Sequence, residues 1–130
     1  MSARVLIIDD TPASLELMKY LLEASGYAVM TATTGPKGIA AARRDVPDLV
    51  LCDVQLPGMD GMDVAREFRD APALAGVPMV AVTAFDLPGD RSRLLAAGFD
   101  GYVPKPIEVE TFCAEVGVFL SPTRTVQRAP

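Results

Sequence analysis

The chain has 130 residues, half of them hydrophobic, and a formal charge of −5, which suits one compact domain with a sizeable core. The acidic balance and the lack of any Lys/Arg cluster argue against direct nucleic-acid binding. No basic segment leads into an apolar one at the start, and the apolar runs are too broken to cross a bilayer, so the expectation is a cytoplasmic protein with no membrane contact.

Val5 to Ile8 read as a strand buried on both faces, since no polar residue alternates with them. The strand runs into two adjacent carboxylates, Asp9 and Asp10, with Thr11 suited to an N-cap and Pro12 to the first helical position. From Pro12 to Ser25, Leu15, Met18 and Leu22 recur at helical spacing, and Gly26 stops the helix. Ala28 to Ala32 is a second strand, and Gly35 to Asp45 an Ala-rich helix. Leu49 to Asp53 is a third strand that also ends in a carboxylate. Leu56 to Gly61 is dense in turn residues, and a helix from about Met62 to Asp70 follows. Val77 to Val82 is a fourth buried strand, ending at Thr83, and a helix from about Gly89 to Ala97 stops at Gly98. Gly101 to Pro104 is the fifth strand; Lys105-Pro106 leads into a last helix from Glu108 to Leu120. Ser121 to Pro130 read as a frayed tail, with no output domain after a unit spanning residues 1–120.

Five βα repeats joined by right-handed crossovers make an α/β domain, a doubly wound five-stranded parallel sheet with helices on both faces. The natural strand order is 2-1-3-4-5, with a ligand crevice at the switch point between strands 1 and 3.

That order has a chemical consequence. Neighbouring strands lie ~4.8 Å apart, so Asp9, Asp10 and Asp53 converge at one end of the sheet. Each would raise the pKa of the others unless a positive partner compensates. Mg²⁺, which favours one or two carboxylates plus waters and phosphate oxygens, is the economical candidate. Thr83 and Lys105 finish strands 4 and 5 in the same crevice, adding a hydroxyl donor and a fixed cation. The set suits a phosphoryl group, with Asp53 as acceptor because it stands alone at its strand end. A lone Asp, Thr or Lys at a strand end is ordinarily a turn residue; it is their coincidence on four strands that favours a site.

There is no histidine, and the two cysteines, Cys52 and Cys113, are far apart. That argues against zinc and a redox motif, and both read as small buried thiols.

The sequence resembles the receiver domains of bacterial two-component response regulators, in particular the single-domain ones of the CheY and DivK type. The resemblance rests on Asp9-Asp10, on Asp53 through Leu56-Pro57-Gly58-Met59-Asp60-Gly61, on Val82-Thr83-Ala84, and on Gly101-Tyr102-Val103-Pro104-Lys105-Pro106. It implies a flavodoxin-like, CheY-like fold with five helices. It implies that Asp53 accepts phosphoryl from a histidine kinase or histidine phosphotransfer protein, which explains why the chain needs no histidine. By the same resemblance Asp10, Asp53 and the carbonyl of Gln55 hold Mg²⁺ directly, and Asp9 acts through water. Lys105, preceding a cis proline, contacts the phosphoryl group. Thr83 swings its hydroxyl onto it, and Tyr102 turns inward behind, switching a helix 4, strand 5, helix 5 face towards a downstream protein. A second copy of the chain is a further partner to consider. Phe85, two residues after Thr83, would shield the acyl phosphate from water.

Self-catalysed phosphorylation and dephosphorylation are thus the only enzymatic activities in view. Within this reading the chain is a diffusible effector, a kinase-regulating adaptor, a relay intermediate or a phosphate sink. Outside it stand a Mg²⁺-dependent aspartyl-phosphate phosphatase and a phosphorylation-independent interaction module. The former needs carboxylates at alternate positions where this chain has adjacent ones. The latter leaves the acidic set without a purpose.

Overall fold

The computed structural model describes residues 3–84 and 89–120; the Phe85 and tail expectations fall outside them. Ten elements alternate: β1 (Arg4–Ile8), α1 (Pro12–Ala24), β2 (Ala28–Ala32), α2 (Gly35–Arg44), β3 (Leu49–Asp53), α3 (Gly61–Asp70), β4 (Met79–Thr83), α4 (Asp90–Ala97), β5 (Gly101–Pro104) and α5 (Phe112–Gly117). The strands form one parallel sheet in the order β2-β1-β3-β4-β5, the doubly wound, CheY-like arrangement.

Alternate strand residues feed two separate cores. Val5, Ile7, Leu49, Leu51, Val80 and Val82 pack with Met18 and Leu22 of α1 and Phe112 and Val116 of α5. On the other face Leu6, Ile8, Val50, Cys52 and Met79 meet Ile39 of α2, Val64 and Phe68 of α3, and Leu94 of α4. The central strands carry no alternation in their sequence because both faces are covered. No helix among the described residues is long and apolar enough to cross a membrane.

Several boundaries depart from expectation. β4 begins at Met79 because Val77 closes a turn, its N–H donating to the Leu74 carbonyl (3.1 Å), and Pro78 has no N–H for the ladder. α3 begins one residue early, at Gly61, behind a cap supplied by Asp60. α5 covers only Phe112–Gly117. Its expected ends are single turns, in which Thr111 N–H donates to the Glu108 carbonyl and Leu120 N–H to that of Gly117. β-Branched Val109, Thr111 and Val118, with Gly117, weaken continuous helix there. Thr11 sits at the N-cap of α1, but its side chain makes no capping bond. Cys113 is only half-buried, since it lies on the α1–α5 seam where the Ser25 hydroxyl donates to its Sγ (3.2 Å).

Candidate functional site

Ile8 pairs with Cys52 in the sheet, so the next residues, Asp9 and Asp53, emerge side by side at the carboxyl ends of β1 and β3. Asp9, Asp10 and Asp53 each offer one carboxylate oxygen, all within 4.8 Å of one another. Asp9 and Asp53 are buried, while Asp10 is exposed.

The two buried carboxylates are held alike. Asp9 Oδ1 accepts the N–H of Thr11 (2.9 Å) and Asp53 Oδ1 that of Gln55 (3.0 Å). Both are side-chain turns of the kind Asp forms with the backbone two residues on. They free the other oxygen of each to face inward. Lys105 Nζ lies 3.2 Å from Asp9 Oδ2 and 3.3 Å from Asp53 Oδ2. It donates an aligned hydrogen bond to Asp53. Towards Asp9 it stands at ion-pair distance without that alignment, and Asp9 Oδ2 is a buried acceptor with no hydrogen-bond partner. Lys105 is anchored by its own N–H, which donates to the Thr83 carbonyl (2.9 Å), and its bond to Pro106 is cis.

Burial pushes the Asp53 carboxyl above its ordinary pKa. The Gln55 N–H and the Lys105 ammonium oppose that rise, and the Asp9 charge adds to it. Burial works to lower the Lys105 pKa, but Asp9 and Asp53 outweigh it and the ammonium ends above its ordinary value. The Cys52 thiol is driven far up by burial, with Asp53, Asp9 and Asp60 adding to it. It stays a neutral core group and is no nucleophile.

Thr83 is buried at the end of β4, one residue past the Val82 that pairs with Asp53. Tyr102 on β5 is 44% exposed. Thr83, Lys105 and Tyr102 line one cavity of about 730 Å³, together with Leu95 of α4 and Phe119. Gln55 contributes its backbone, and its side chain is exposed.

Asp60 and Asp63, which are not among the expected site residues, scaffold the loop. Asp60 Oδ1 accepts the Asp63 N–H (2.9 Å) and Asp63 Oδ2 the Asp60 N–H (3.3 Å), a reciprocal capping box. Asp60-Gly61-Met62-Asp63 carries that signature, with Asp in place of the usual Glu. Gly61 donates its N–H to the Val54 carbonyl (2.9 Å), and a Cβ there would come 2.7 Å from Val54 Cα. Only glycine lets α3 start this close to the strand carrying Asp53.

The donor set fits a hard divalent cation. Three carboxylates converge, and one buried oxygen, Asp9 Oδ2, lacks a hydrogen bond that a metal-bound water could supply.

Residues 5–117 match the family described as the response regulator receiver domain. The polar-differentiation response regulator DivK of Brucella ovis is 36% identical over 120 residues, spanning 92% of this chain and 98% of that protein. The response regulator PleD of Caulobacter vibrioides is 44% identical over 108 residues, 83% of this chain; the match spans only 24% of PleD. Among solved structures, the receiver domain of the sensor histidine kinase PA1611 from Pseudomonas aeruginosa superposes with a TM-score of 0.84 at 29% identity, covering 92% of this chain and 98% of that one. That structure has a magnesium ion coordinated in its active site cleft.

Proposed function

The chain belongs to the response regulator receiver domains of two-component signalling, and from that premise we propose that Asp53 takes a phosphoryl group from a phosphohistidine on a kinase or phosphotransfer partner. The carrying observation is the convergence of Asp9, Asp10 and Asp53 around the Lys105 ammonium at the switch point of the sheet. In the transfer, an Asp53 carboxylate oxygen forms a bond to phosphorus as the donor's P–N bond breaks. The imidazole nitrogen keeps that electron pair and takes up a proton.

Gln55 N–H fixes Asp53 through Oδ1, leaving Oδ2 as the attacking oxygen. Lys105 then exchanges its bond to Oδ2 for one to a phosphoryl oxygen without losing Asp9 as counter-ion. Bound Mg²⁺, held by Asp10, Asp53 and the Gln55 carbonyl with Asp9 acting through water, would neutralise charge on the phosphoryl oxygens. Thr83 donates its hydroxyl to the phosphoryl group, and Tyr102 moves into the cavity they share. Favouring that arrangement by a few kcal/mol is enough to change which partner binds. The readout surface is the α4–β5–α5 face, where Leu95, 48% exposed, lines the same cavity as Tyr102. The setting for these exchanges is the cytoplasm.

Incubation with acetyl phosphate and Mg²⁺, read by intact mass, tests this. A gain of one phosphate that vanishes in Asp53→Asn supports the proposal. Steady release of phosphate from many esters, with no phosphoprotein, overturns it in favour of a phosphatase.

A further inference from the structure

The sheet has an open edge at β2, which pairs only with β1 among the described residues. Ala28 N–H donates to the Ala3 carbonyl and Asp9 N–H to the Ala32 carbonyl. These bonds turn the backbone groups of Ala28, Ala32 and, by the two-residue period, Met30 towards β1. The N–H and C=O groups of Val29 and Thr31 therefore point away from the sheet. An unpaired edge of this kind is a template for another strand.

Beside this edge, β2 and α2 enclose a groove of about 380 Å³, lined by Thr31, Thr33, Lys37, Ala40, Ala41 and Arg44. The small Ala40 and Ala41 and the two cations thus share one groove. The helix Gly35–Arg44 holds three of the chain's twelve cations and none of its seventeen acids. It is a basic strip on an acidic protein. Lys37 has no carboxylate within ion-pair distance among the described residues, and Arg44 has only the adjacent, exposed Asp45 at 3.5 Å. Lys37 and Arg44 are seven residues apart, ~10.5 Å along the helix. Acids two or four positions apart on one face of an extended chain are ~7 or ~13 Å apart, and the long Lys and Arg stems cover the difference.

We propose that an extended acidic segment of a partner protein adds as a sixth strand to the β2 edge, with its carboxylates on Lys37 and Arg44. Main-chain bonds to Val29 and Thr31 would give affinity, and the cations would select the acidic face. This surface lies on the opposite edge of the sheet from β5, and it requires no phosphorylation of Asp53.

The test is titration of the isotope-labelled full chain with a capped nonapeptide of alternating valine and glutamate, followed by amide chemical shifts and exchange. The expected result is a saturable shift at Val29, Thr31 and Thr33, with slowed exchange of the Thr31 amide. Lys37→Glu/Arg44→Glu should weaken it about tenfold, since both sites are exposed and the pairs only partly desolvated. The same substitutions should leave amide shifts of the opposite edge unchanged, which separates lost binding from lost fold. Equal binding of a peptide with the same charge but proline at alternate positions would overturn strand addition. So would binding of the lysine counterpart, absence of any shift, or concentration-dependent shifts of the edge without peptide, the last naming a second copy as occupant.

Discussion

Asp9 and Asp53 divide their oxygens in the same way: Oδ1 closes a turn on the backbone, and Oδ2 faces Lys105. The positions of all three charged residues were legible as strand ends. The paired turns were not, because they depend on side-chain to backbone geometry that no spacing encodes. Their electrostatics yield two predictions. Burial raises the Asp53 pKa, so the folded chain holds that proton more tightly than the unfolded one. Stability is therefore lost as pH rises through the raised value, and below the ordinary 3.8 both states are protonated and nothing is lost. In metal-free protein Asp53→Asn should melt higher than wild type at pH 7, and the gap should close by about pH 3; a gap that persisted there would mean packing, not charge. Lys105 has the opposite sense. Its folded pKa is raised above 10.5, so its stabilisation is fully present below that value and disappears as pH climbs through the folded one. Lys105→Met should cost about 2 kcal/mol at pH 7, measured by urea melts, and the deficit should shrink under alkaline conditions.

At the scale of elements, α3 is fixed at both ends by side chains. Its start is held by the Asp60–Asp63 box and the close approach of Gly61 to Val54. Its end is held by Arg69, whose guanidinium donates to the carbonyls of Ala75 (2.9 Å), Val77 (2.8 Å) and Gly98, and pairs with Asp100 (2.9 Å). Gly61→Ala should cost about 2–3 kcal/mol by forcing backbone apart. It should also slow acetyl-phosphate labelling of Asp53, which stands one residue before Val54. Asp60→Ala removes a cap alone and should cost about 1 kcal/mol with labelling nearly unchanged. The two melts and labelling rates together tell scaffold from cap. Helix interiors were readable from their apolar spacing. The ends of α3 and α5 were less so, because the first is set by a cap and a glycine contact, and the second by β-branched residues that only tertiary packing arbitrates.

For the whole molecule, the strand order followed from five βα units, and the order brought the acids together. What the sequence could not convey was how unevenly they are buried, with Asp10 exposed beside the buried Asp9 and Asp53. This arrangement separates metal binding from folding. Mg²⁺ at a hundredfold excess over its dissociation constant should stabilise the chain by about 2.7 kcal/mol. Asp10→Ala should abolish that increment in thermal melts while leaving the metal-free melting temperature unchanged or slightly higher. Strong destabilisation of the metal-free variant would instead mark Asp10 as a helix-capping residue.

The Lys105 ammonium is the only cation seen between Asp9 and Asp53 among the described residues, and it joins a partner 96 positions earlier in the chain. During synthesis on the ribosome, Asp9 and Asp53 emerge long before Lys105 does. Until then the growing chain carries the acids without their counter-charge and lacks Phe112 and Val116, which complete one face of the core. The last βα unit therefore sets when the domain becomes whole, and a nascent chain halted before Lys105 leaves the exit tunnel should be cut by protease where the released chain resists.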